Sequence, residues 1–424
     1  MKSVLRRVLV VLVLSTTAIG GAALVPVQAG VNIPKMPISN AADFTPRVVN
    51  DAQEDEAGVK EFQQIGGTIF VGGEFRTVQN AARTATYRRY SLFSFNATTG
   101  AVSSWAPVLN GDVYAMVASP DGRYLYIGGG FTTFNGQTAR NLVKYDLLNN
   151  RVDTSFRPAI GRVTDIDLVG SRLFVSGIIV GGIQALNPTT GANTGYFNAT
   201  TAAGAQVGYS TRIYRFAVDP ARTRVVVIGV FTSIGGQPRQ QVAMINLGAA
   251  AASVSPWYSP RWDDTCVTSL SWYTRDVDFA PDGTNFVVVT SGAGFPRTLK
   301  LCDTVTRWEA VDLPAQQPTW INYSGGDTFH SVTATDLAIF VSGHFRWLDN
   351  PLGRDTKGPG AVDRRGIGAI DPVTGLAMAW NPGKGIEGGL GAYDLFFNSQ
   401  GLWVGSHERL LANEVHEGLG LLPY

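Results

Sequence analysis

The sequence predicts an all-β fold, a seven-bladed β-propeller of four-stranded antiparallel blades whose ring is closed by the N-terminal segment. Three observations predict it. The chain has 424 residues, far more than one hydrophobic core usually holds. A single pattern recurs about every 55 residues. Short runs of alternating polarity, separated by turn signals roughly every 8–12 residues, replace any helical period.

The repeat is an apolar strand ending in Gly-Gly-x-Phe. Clear copies are Val71-Gly-Gly-Glu-Phe75, Ile127-Gly-Gly-Gly-Phe131, Ile228-Gly-Val-Phe231 and Val341-Ser-Gly-His-Phe345. Worn copies are Val175-Ser-Gly-Ile-Ile179, Val289 to Gly294, and Val404-Gly-Ser-His-Glu408. An alternating strand such as Val113–Val117 precedes each copy, joined to it by a tight turn such as Pro120-Asp-Gly122. A third strand ends in a polar turn, as in Leu92–Asn96 with Thr-Thr-Gly100. An aromatic-x-Pro element closes the unit: Trp105-Ala-Pro107, Phe156-Arg-Pro158, Trp380-Asn-Pro382. The last unit stops before that element, and Phe44-Thr-Pro46 supplies it from the other end, which predicts that the segment near Phe44 completes the last blade.

The second unit resembles the delta-60 repeat family in Asn135-Gly-Gln-Thr-Ala-Arg140, Tyr145-Asp146 and Asp153-Thr-Ser-Phe156. The resemblance implies a secreted propeller and assigns no activity. Phe95-Asn-Ala-Thr-Thr-Gly-Ala-Val-Ser-Ser-Trp105 is similar to a quinoprotein repeat, but that family's adjacent cysteine pair is missing.

The ends and the composition place the chain. Lys2, Arg6 and Arg7 precede an apolar stretch, and Val27-Gln28-Ala29 fits a small-x-small cleavage site. Residues 1–29 therefore read as a signal peptide, 30–43 as a linker and 44–424 as the propeller. An uncleaved anchor is the rival reading; Ser15, Thr16, Thr17 and two glycines make it a poor spanning helix. After cleavage no stable membrane insertion is expected. A net charge of +1 argues against nucleic-acid binding. Arginine outnumbers lysine 27 to 7. Cys266 and Cys302 lie in no metal-binding spacing and are expected to form a disulfide, worth about 4 kcal/mol by loop entropy.

Blade topology puts the long insertions, Arg76 to Arg89, Asn198 to Arg212, Ser259 to Arg275 and Arg346 to Arg365, on one face. That upper face nominates Arg83, Arg88, Arg89, Trp262, Trp272, Arg346, Trp347, Arg364 and Arg365 as ligand-binding residues, since arginine beside aromatic rings suits anionic or sugar-like ligands. His344 and His407 share a repeat position that Glu74 holds in the first unit, and His330 starts the sixth inner strand. Glu61 and Asp394 take the position corresponding to His330. These groups are candidates to ligate zinc or another divalent metal, or to supply acid and base groups. Glu61, Asp165, Asp276 and Asp394 also align, with Arg215 in the fourth unit, as channel-lining groups or as acceptors for backbone amides between blades. No nucleophile elbow, Walker loop or HExxH appears. The expectation is a monomeric secreted binding or scaffold module for an extracellular protein or glycan; the alternative is a metal-assisted hydrolase or lyase acting on an extracellular polymer.

Overall fold

The computed structural model describes residues 30–49, 58–204, 208–264, 266, 272–292, 300–383 and 391–424. The expected signal peptide, and residues 293–294 of the worn repeat from Val289, lie outside them. The described chain is all-β and propeller-like, with two short 3-10 turns as its helical elements. Larger antiparallel sheets succeed one another in chain order. Their innermost strands are Gly58–Ile65, Val113–Ala118, Arg162–Val169, Arg212–Val218, Thr274–Phe279, Phe329–Ala334 and Ala392–Asn398.

The Gly-Gly-x-Phe pattern has a packing cause. Its strand pairs with the inner strand of its own sheet, and the Phe residues 75, 131, 231 and 345 are fully buried. A Cβ on the first glycine would strike the next sheet's inner strand: Gly72 faces Val113, Gly128 faces Val163, and Gly405 faces Val59. The second glycine lies against a carbonyl of its own inner strand, Gly73 on Gly58 and Gly129 on Asp112. This close approach sits at a β-bulge. In all these inner strands the register slips at one place, skipping Lys60, Tyr114, Thr164, Tyr214, Arg275, His330 and Tyr393. A bulge re-aims the side chain it skips.

The polar turns after the third strands are Asx turns: Asn96 Oδ1 accepts from the Thr98 and Thr99 amides, and Asp371 Oδ1 from Val373 and Thr374. Beyond them the outer strands are weaker than expected. Sheets two, four and five have a fourth strand, whereas in sheets one, three and six it shrinks to single bridges, Phe95 to Val102, Leu186 to Asn193 and Ile370 to Ala377. The aromatic-x-Pro segments that follow carry a proline without an N–H, which limits further pairing.

Residues 30–43, expected as a linker, instead lie along the fold. The amides of Ile38 and Ala42 donate to the carbonyls of Pro423 (2.7 Å) and Leu421 (2.9 Å) on the outer edge of the last sheet. Phe44 meets Trp403 edge-on at 6.3 Å. Ile33 packs in the core with Phe340, Phe397 and Leu422. Three buried residues, Ile33, Pro37 and Ala41, anchor it to the fold. The first and last sheets also touch, because Phe62 stacks near Phe396 (6.2 Å) and its N–H donates to Asp394 Oδ2 at 2.8 Å.

Candidate functional site

The inner strands surround an axial cavity of about 990 Å³, lined from Glu61, Asp165, Arg215, Asp276 and Asp394 down to the tight turns at Gly66, Ser119–Gly122 and Gly170. Its acids stitch neighbouring sheets. Asp165 Oδ2 accepts from the Phe216 amide (2.8 Å), Asp276 Oδ2 from Val332 (2.9 Å), and Asp278 Oδ2 from Ala334 (2.8 Å). Burial pushes Asp165 and Asp394 up to about 6, Asp276 to about 7 and Asp278 to about 8. Arg215 is the cation among them, 3.9 Å from Asp165. Burial opposes its charge, yet the facing Asp165 and Asp276 hold it above its ordinary value. These acids thus line the cavity and also accept backbone amides between sheets.

The opposite mouth is built by the bulges. Each skipped residue lies near the start of its inner strand, on the side where the insertions emerge. Lys60 Nζ sits 4.9 Å over the Tyr114 ring and pairs with Glu74 at 2.9 Å. Tyr114 donates its hydroxyl to Asp112, and burial and that bond push its pKa up. The His330 ring lies tilted against His344 (5.9 Å) and Tyr393 (6.2 Å), and Tyr393 likewise against His407 (5.6 Å). Tyr214 meets Trp272 at 5.5 Å, and Arg275 lies 4.8 Å over the same indole. The insertions above fold as small hairpins, such as Thr77–Gln79 with Thr86–Arg88 and Trp347–Leu348 with Val362–Asp363.

This geometry corrects several expectations. His330 does not share a repeat position with Glu61 and Asp394. Ser331 does, because the bulge adds one residue and His330 aligns with Lys60 and Tyr393. The expected metal set of His330, His344, His407 and Glu74 is not gathered. Tyr393 stands between His330 and His407, and Glu74 is engaged by Lys60. Among the described residues no three His, Cys, Asp or Glu side chains come together to hold a metal. Burial lowers the His344 pKa, and its Nε2 accepts from the Thr328 amide.

The nominated arginines and tryptophans sort into two sets. Arg89 and Arg364 are each 8% exposed and clamp their hairpins to the outer part of the sheet, donating to the carbonyls of Arg88 and Ser103, and of Asp363 and Met378. Arg239 repeats the arrangement on Pro238 and Ser255. Trp262, 1% exposed, packs on Trp308 and Tyr273 in the core. These three nominees are buried and engaged by the fold's own carbonyls and rings. Arg346 is held by Asp327 (2.8 Å) and Asp355 and lies 4.3 Å over half-buried Trp347. Trp272 is buried, with Arg212 at 4.7 Å and Arg275 at 4.8 Å on its ring. Arg83, Arg88 and Arg365 are exposed. Cys266 and Cys302 are joined as a disulfide.

Sequence reasoning missed Tyr114, Tyr214, Arg275 and Tyr393. A signal was present, since an aromatic or basic residue directly precedes the aligned inner-strand position in Lys60-Glu61, Tyr114-Ala115, Tyr214-Arg215, Arg275-Asp276 and Tyr393-Asp394.

Residues 119–156 match a family model described as a domain of unknown function (DUF5122) beta-propeller. That stretch runs from the tight turn of the second sheet through the Asn135-Gly-Gln and Asp153-Thr-Ser-Phe156 motifs. Among solved structures, the crystal structure of RRP9 WD40 repeats superposes with a TM-score of 0.52 over 92% of this chain and 99% of that one. The identity is 11%, so the likeness is one of fold alone. No curated protein matches the sequence.

Proposed function

We propose that the chain is a seven-bladed propeller with four-strand-deep blades, fastened by residues 31–48, that acts outside the cytoplasm as a non-catalytic binding or scaffold module for a protein or glycan. The observation that carries it is the upper mouth, where consecutive bulges bring Lys60, Tyr114, Tyr214, Arg275, His330 and Tyr393 to one rim. Flat rings and cations on a rigid scaffold bind by stacking and charge-assisted hydrogen bonds. The hairpins bearing exposed Arg88, Trp347 and Arg365 extend that rim. The propeller fold is a frequent protein-binding platform, and the disulfide fits an oxidising compartment. The hydrolase or lyase alternative draws on His330, His344 and His407, and the Tyr393 ring, in contact with both His330 and His407, argues against all three meeting on one atom.

The test is to probe glycan and secreted-protein arrays with the purified protein and with Tyr114→Ala/Tyr393→Ala. Loss of the captured ligand in the variant, with melting unchanged, is expected. Capture that survives in the folded variant, or turnover of the captured polymer, overturns the reading.

A further inference from the structure

Three arginines meet on the upper rim across successive sheets three, four and five. Arg162 and Arg212 hold the same position, one residue before Val163 and Ile213 at the bulge, and Arg275 is itself the bulge residue of the next sheet. Arg212 and Arg275 both lie on the Trp272 ring, at 4.7 and 4.8 Å, and Tyr209 and Tyr214 meet that ring at 5.7 and 5.5 Å. The one indole thus carries two guanidinium groups.

Their partners are the telling point. Two other cations of the rim are paired with carboxylates, Lys60 with Glu74 and Asp112, and Arg346 with Asp327 and Asp355. Among the described residues, Arg162, Arg212 and Arg275 form no ion pair with a carboxylate, and Arg212 Nε is buried without an acceptor. Among the described residues, Arg275 Nε donates to the Ser291 hydroxyl, at 2.8 Å. Burial lowers the Arg212 and Arg275 pKa values, and each neighbouring arginine adds to the effect. The carboxyl nearest to Arg275 in charge, Asp303, is pushed up to about 8 by burial and by Asp327, which weakens it as a counter-ion. Like charges held together without an anion are a binding site for one.

We propose that Arg162, Arg212 and Arg275 form an anion-binding site for an acidic polysaccharide, carrying carboxylate or sulfate groups. This deepens the reading of the upper rim as a binding surface and rests on it. Guanidinium forks match the paired oxygens of carboxylate and sulfate. Cations recurring from sheet to sheet suit a polymer whose charge also recurs, and the Tyr114, Tyr209 and Tyr214 rings among them, half-buried and so partly open, offer faces for sugar stacking. The net charge of +1 makes the cluster a local feature rather than a general polyanion surface.

The test measures retention and calorimetric binding of heparin, polygalacturonate, polyglutamate and neutral dextran by the full chain, at roughly 50 and 500 mM salt. Heparin or polygalacturonate should bind and dextran should not, with affinity falling about tenfold or more between the two salts. Comparison of the two acidic polymers identifies sulfate or carboxylate as the favoured group. Arg162→Ala removes an exposed side chain without a hydrogen bond and should weaken binding about tenfold. Arg162→Ala/Arg212→Gln should abolish it. Unchanged binding in the folded Arg162→Ala protein overturns the site. So does binding of polyglutamate alone, which would assign the rim to an acidic protein, or binding of none of the anions. If the tyrosine variant loses its array ligand while Arg162→Ala keeps it, the binding-module reading stands and the anion site falls.

Discussion

Weakening the N-terminal fastening is expected to loosen the whole fold, and its size follows from two side chains. Ile33 is 4% exposed and packs with Phe340, Phe397 and Leu422; Val48 is 2% exposed and packs with Phe75, Phe93 and Leu419. Ile33→Ala deletes buried aliphatic volume and should cost about 3 kcal/mol, and Val48→Ala about 2 kcal/mol. The two sit in separate clusters, so the costs should add to about 5 kcal/mol. Truncating residues 30–48 should cost more, because it also removes the amide donors of Val31, Ile38, Ala42 and Val48 to Ala334, Pro423, Leu421 and Glu417. Calorimetric or circular-dichroism melting of the double variant should show a fall of about 5–10 °C, with the truncated chain lower still. Melting of the double variant within about 1 °C of the parent, or of the truncated chain at the parent temperature, would refute the fastening.

Two further predictions concern the channel and the clamps. Arg215→Met should destabilise the protein by about 3–5 kcal/mol near pH 8 and much less near pH 5, as measured by denaturant midpoints; a pH-independent loss would count against it. The sign follows from Asp165, Asp394 and Asp276, whose folded-state pKa values of about 6, 6 and 7 lie above the unfolded value. The native state therefore binds extra protons, and the stability they contribute is present at low pH and lost as pH rises through 6–7. Removing the facing cation steepens that loss. Arg364→Ala should lower the melting temperature while leaving array ligands bound, because its guanidinium holds the carbonyls of Asp363 and Met378; loss of ligand with unchanged melting would reverse the assignment.

Local chemistry was legible in the chain. The repeat, the tight turns, the Asx turns and the cysteine pair all depend on residues close in sequence or on compartment, and the all-β, propeller-like fold follows from their recurrence. Phe44 carries the same aromatic-x-Pro pattern as Trp105 and Trp380, and its ring does lie against the last sheet at Trp403, but it sits in a turn, and the strand after it, Arg47–Val48, pairs with the hairpin strand Thr77–Gln79. The same reasoning placed residues 30–43 in a linker, since a single apolar residue such as Ile33 has no periodicity to betray its burial.

The site was decided by tertiary structure. A bulge shifts the strand's alternation by one residue, so the aligned repeat put His330 level with Asp394, when Ser331 holds that place. The residue skipped at each slip is re-aimed, which brings Tyr114, Arg275 and Tyr393 to the rim and sets the Tyr393 ring against both His330 and His407. Arginine is likewise ambiguous in one dimension. Arg364 clamps a carbonyl and Arg346 pairs with Asp327, while Arg212 meets no carboxylate among the described residues. Which of these a guanidinium does depends on the oxygens that strands from distant parts of the chain bring to it, and spacing along the chain does not encode them.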